Sequence, residues 1–108
     1  MNYAKQRDAN EQGIVDALVA AGAAVQKLGD PGVPDLLVSF GDVLHLLEVK
    51  NPKAKGGGKY NTGEGALTAA QTRWWAKWTG KRPVIVQTAA EALAAIGFVP
   101  GLSVRTPA

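Results

Sequence analysis

Over residues 10–21 the apolar positions recur with the period of a helix. Ile14, Val15, Leu18 and Val19 share one side, alanines fill the gaps, and Gly22 supplies a stop. The next apolar runs are shorter and more continuous, and they read as strands: residues 23–28, then Leu36–Phe40 and Val43–Val49. Gly41-Asp42 joins the last two, a two-residue connection of the kind that favours a primed turn. A second helix is expected from Thr68, which with Gln71 fits the S/T-x-x-E/Q capping box. Trp74, Trp75 and Trp78 lie on it at spacings that share a face, two of them expected on the sheet and one at the rim where it would suit a dimer contact, and Gly80 ends it. Residues 83–87, centred on Val84-Ile85-Val86, read as a buried strand. Thr88 and Glu91 repeat the capping box before a third helix that Gly97 terminates, and the tail from Phe98 reads as extended or loose. The predicted fold is α/β: one domain over residues 1–108, with a mixed central sheet of about four strands flanked by helices in the order αβββαβα.

The hairpin carries charge where a core strand pair should not. If Gly41 and Asp42 are the loop residues, Phe40 pairs with Val43 and, counting outward, Asp35 stands directly opposite Glu48. Alternation puts Asp35, Leu37, Ser39, Leu44, Leu46, Glu48 and Lys50 on one face, and Leu36, Val38, Phe40, Val43, His45, Leu47 and Val49 on the other. Both faces are mostly apolar, as in the middle of a covered sheet. Opposed Cβ atoms lie ~5 Å apart, where two carboxylates repel unless a proton or cation sits between them. A hard dication answers that need, since Mg²⁺ takes one or two carboxylates and completes its shell from water and phosphate. Lys50 would add a positive charge on the same face. The bland alternative is a frayed strand end with a surface salt bridge.

Glu11 continues the stripe of Ile14, Val15 and Leu18, which would project its carboxylate from the buried side of the first helix. Alternatively it only complements the helix dipole in the first turn. His45 falls on the face opposite the acids and reads as a packed or edge histidine rather than a base.

Composition narrows the chemistry. The 108 residues are 46% hydrophobic and 19% charged, as in an ordinary globular chain. There is no cysteine, which excludes a disulfide framework, a thiolate zinc site and a cysteine nucleophile, and the single histidine argues against a histidine metal cluster or a serine–histidine triad. The N-terminal MNYAKQRDANEQG has no apolar core, and no apolar run reaches the ~20 residues of a membrane span, so a cytoplasmic protein with no membrane partner is expected. The net charge of +3 is compatible with a polyanionic partner. After Lys50 comes NPKAKGGGKYNTGEG, in which Lys53, Lys55 and Lys59 could follow a phosphate backbone or merely belong to a solvated linker. Tyr60 in the same loop could stack on a base, and Arg73, Lys77, Lys81 and Arg82 extend the basic surface from the second helix.

Pro34-Asp35 followed by Glu48-Val49-Lys50 resembles the PD-(D/E)XK nuclease signature. The wider string is a helix carrying Glu11, then GVPDLLV, a glycine turn, LEVKNPK and LTAAQ. It is similar to the VRR-NUC family of that superfamily, in its small stand-alone phage and bacterial form, over residues 7–96. The resemblance implies Asp35, Glu48 and the Val49 carbonyl as metal ligands, Lys50 as the catalytic lysine, and Glu11 and Gln71 as further site residues. Gln71 has a competing use in its own capping box. The resemblance further implies an enzyme that hydrolyses DNA phosphodiesters with one or two Mg²⁺ or Mn²⁺ ions per site, as a homodimer acting on branched DNA such as Holliday junctions, in a bacterial cell or phage-infected host. The insert KAKGGGKYNTGEGA departs from the family's simplest pattern and bears on substrate preference. The alternatives are a non-catalytic DNA-binding or scaffold module and a sequence-specific restriction-type nuclease.

Overall fold

The structure is a computed structural model that describes residues 9–51 and 67–101. Its elements are α1 (Glu11–Ala20), β1 (Ala24–Lys27), β2 (Leu36–Phe40), β3 (Val43–Val49), α2 (Ala69–Lys77), β4 (Val84–Val86) and α3 (Ala89–Ala95). They form one mixed four-stranded sheet in the order β1-β2-β3-β4, antiparallel except for the parallel pair β3 and β4. The expected α/β order and strand number are both present.

The hairpin register is the one that the two-residue turn dictates. Phe40 pairs with Val43 and Leu36 with Leu47. Gly41 and Asp42 both have positive φ, 57° and 66°, as a type I′ turn requires. Leu36, Val38, Phe40, Leu47 and Val49 point into the core, where Ile14 and Leu18 of α1 and Ala92 and Ile96 at α3 cover them. Both helices end in Schellman caps: Gly22 N–H donates to Val19 and Ala23 N–H to Leu18, and Gly97 N–H donates to Ala94 and Phe98 N–H to Leu93.

Six local expectations need correction. First, β4 is not a buried strand: it is the edge strand of the sheet, with Val84 exposed, Ile85 half-buried and only Val86 buried. The other face of the hairpin is only partly covered, since Leu44 is 58% exposed and Leu37 and Leu46 are half-buried. None of the three tryptophans joins the core, because α1 and α3 already fill it and α2 contributes no buried residue. Gly80 does not cap α2: the helix stops at Lys77, Trp78 is extended (φ −78°, ψ 117°), and the Arg82 guanidinium donates to the carbonyls of Trp78 and Trp75 at 2.6 and 3.1 Å. At α3 the box is half-formed. Thr88 Oγ1 accepts from Glu91 N–H, but the Glu91 carboxylate accepts from Gln87 N–H instead of from the cap residue's own. The tail also begins by folding back, with Phe98 packed edge-to-face on Phe40 at 6.1 Å.

Candidate active site

The start of β2 meets the ends of β3 and β4 at one end of the sheet, and the N-termini of α1 and α2 arrive there too. Each piece of backbone at this junction is held. Leu28 N–H donates to the Asp35 carbonyl at 2.8 Å, extending the β1–β2 ladder, and Lys50 N–H donates to Val86 at 2.9 Å, extending the β3–β4 ladder. Asn10 occupies the N-cap position of α1 without capping it. Its amide instead donates to the carbonyls of Lys50 (3.0 Å) and Gln87 (2.7 Å), fastening the helix start across the ends of both strands. Sequence reasoning missed this role, because an asparagine before a helix reads locally as a cap.

The junction buries charge. Glu11 is 2% exposed, Asp35 6%, Glu48 2% and Lys50 4%, so among the described residues three carboxylates and one ammonium are taken out of water. The frayed-end reading of Asp35, Glu48 and Lys50 therefore fails, since such ends are solvated. Asp35 lies one step beyond the last ladder pair, Leu36 with Leu47, which places it opposite Glu48. Its Oδ2 accepts from Val49 N–H at 2.8 Å, so the side chain closes onto β3 beside Glu48.

Lys50 and Gln71 complete the arrangement around Glu48. Gln71 Nε2 donates to Glu48 Oε2 at 2.7 Å, Lys50 Nζ lies 3.5 Å from the same oxygen, and Lys50 Nζ donates to Gln71 Oε1 at 2.9 Å. The two competing uses of Gln71 coexist. Its Oε1 also accepts from Thr68 N–H at 2.9 Å while Thr68 Oγ1 accepts from Gln71 N–H, a complete capping box, so one amide both starts α2 and orients the site. Gly32 sets how closely α2 can lean on this corner: a Cβ there would lie 2.8 Å from the Ala70 carbonyl oxygen.

Two carboxylates are hard oxygen donors, and their meeting at a strand end suits Mg²⁺ or Mn²⁺ with the rest of the shell left to other oxygen donors. Glu11 is buried in the first turn of α1, which Asn10 fastens at the same end of the sheet. Among the described residues no three histidine, cysteine, aspartate or glutamate side chains come close enough to hold one ion together.

The remaining candidates lie elsewhere. His45 is buried on the opposite face of β3, with Nδ1 3.3 Å from Lys81 Nζ, and burial followed by the Lys81 charge lowers its pKa. Arg73 and Lys77 are exposed on α2, one turn apart. Lys53, Lys55, Lys59 and Tyr60 lie outside the described residues. No helix among the described residues is long and apolar enough to cross a membrane. Comparison of the chain with protein-family models, curated proteins and solved structures returns no match.

Proposed function

We propose that this protein is a metal-dependent DNA endonuclease of the PD-(D/E)XK type, similar to the VRR-NUC nucleases, acting as a homodimer on branched DNA. The observation that carries the reading is the hairpin register together with burial: Asp35 and Glu48 are brought opposite each other and withdrawn from water beside Lys50. Mutually repelling carboxylates at low exposure lower the cost of taking up a dication.

Asp35, Glu48 and the Val49 carbonyl would hold the ion. Bound there, Mg²⁺ or Mn²⁺ supplies Lewis-acid polarisation of the phosphate and a more acidic water. Lys50 contributes a fixed positive charge next to that position, where charge develops on the phosphoryl oxygens during in-line displacement. Gln71 is a positioning residue. Its carbonyl holds the Lys50 ammonium and its amide holds Glu48 Oε2, so neither long side chain has to be ordered at the moment of reaction. Glu11, buried in the first turn of α1, adds negative charge to the same end of the sheet and favours cation uptake. Arg73 and Lys77 are exposed for phosphate contact, and Lys53, Lys55 and Lys59 are assigned the same role by their position in the sequence next to Lys50.

The test is incubation of the purified protein with Mn²⁺ and linear, flapped and four-way DNA. Cutting of the branched substrates is expected. Tight binding to all three with no cutting would leave a non-catalytic DNA-binding module, and cutting at one fixed sequence in linear duplex would mark a restriction-type enzyme.

A further inference from the structure

The corner between α2 and β4 exposes an indole and at the same time immobilises it. Trp78 is 38% exposed. Its ring stacks on Trp74 with centroids 4.9 Å apart and planes 17° from parallel, and its Nε1 donates to the Lys81 carbonyl at 2.7 Å. Gly80 leaves room for this pose, since a Cβ at that position would lie 2.7 Å from the ring. Arg82 fixes the backbone beneath, bonding the carbonyls of Trp75 and Trp78 with its guanidinium 5.3 Å above the Trp75 ring. An indole held this firmly loses little further freedom when something stacks on it.

The surroundings select a polyanion. From Glu64 to Glu91 the chain carries Arg73, Lys77, Lys81 and Arg82 and no acidic residue between those two glutamates. Arg73 and Lys77 form an exposed row on the helix next to the row of Trp74 and Trp78. A fixed aromatic face bordered by cations is the arrangement that receives the bases of a single strand while tracking its phosphates.

We infer that Trp78 is a stacking platform for an unpaired DNA base, with the exposed Arg73 and Lys77 holding the adjoining phosphates, while the Lys81 ammonium is turned onto β3 at Leu44 and His45. The choice of DNA rests on the nuclease reading above. The position is informative about substrate. Trp78 lies just past the end of α2, seven residues beyond Gln71, which along the helix is on the order of 10 Å, a few nucleotides from the proposed cutting site. A strand that leaves its duplex within that distance, as at a flap or junction, would meet the ring.

The experiment compares wild type with Trp78→Leu, which keeps apolar bulk without an aromatic face, and with Trp78→Phe, which keeps the face. Affinity is measured in EDTA for an oligothymidylate of about twelve nucleotides and a duplex of similar length, together with indole fluorescence. Trp78→Leu should bind the single strand about tenfold more weakly and lose much of the quenching seen in wild type, while Trp78→Phe stays within about threefold and duplex binding changes little. Unchanged single-strand affinity in Trp78→Leu overturns the proposal, as does equal weakening by both variants. So does a shift of Trp78→Leu from dimer to monomer with binding per protomer intact, which would make the ring a contact between copies. Cutting by the wild type with Mn²⁺, assayed in parallel, decides the nuclease reading separately: cutting with unaltered binding in Trp78→Leu removes only the platform.

Discussion

At the scale of single residues the arrangement turns on Gln71, whose carbonyl accepts from both Thr68 N–H and Lys50 while its amide donates to Glu48. Substitutions can separate these uses. Gln71→Glu keeps a side chain able to complete the capping box but sets a like charge against Glu48 in place of a donor. Circular dichroism should show α2 retained, while metal-dependent cutting falls by about tenfold or more through loss of a charge-assisted bond. Thr68→Ala does the reverse, costing about 1 kcal/mol in urea unfolding with a smaller effect on cutting. Asp35 has its own readout. Mg²⁺ or Mn²⁺ at about 100 times its dissociation constant should stabilise the wild type by about 2.7 kcal/mol, seen as a rise of about ten degrees in Tm. Asp35→Asn should abolish that rise, and a rise of the same size in the variant would remove Asp35 from the ligand set. The Asp35 and Glu48 pairing was legible because a two-residue turn fixes register. Asn10 was not, because its partners Lys50 and Gln87 are distant in sequence.

At the scale of elements, α2 is the least anchored helix and the one on which the site depends. Gly32 has φ +85°, and an added Cβ would meet the Ala70 carbonyl, which is backbone and cannot swing aside. Gly32→Ala should therefore cost about 1–3 kcal/mol in unfolding, and it should reduce cutting more than Thr68→Ala does, since the helix that carries Gln71 must move. The packing of α2 was misread because its tryptophans looked like core residues, whereas they stack on one another and under Arg82. On the face of β3 opposite the acids, His45 beside Lys81 ties stability to pH. Its pKa is lowered in the fold, so below the ordinary value of roughly 6.5 the unfolded chain takes up a proton that the folded one refuses. Stability is complete above that value and is lost as pH falls toward the folded pKa. Thermal unfolding between pH 7.5 and 5.5 should show a decline that His45→Gln makes shallower, and an unchanged slope would contradict the assignment.

For the whole molecule, element order and the hairpin were readable from periodicity and turn chemistry, because both are local. The sheet order and the meeting of α1, β2, β3, β4 and α2 at one end were not, because they follow from which faces find cover. That meeting is what brings Asp35, Glu48 and Lys50 together out of water, with Glu11 also buried at the start of α1. A nuclease function makes one demand on that group above all others: the Asp35 and Glu48 pair must be needed for chemistry and not for holding DNA. The most direct measurement is single-turnover cutting of a labelled four-way junction with Mn²⁺, wild type against Asp35→Asn, at concentrations where both are fully bound. The proposed chemistry predicts cutting by the wild type and none by the variant at equal occupancy. Cutting at comparable rates by both would contradict it.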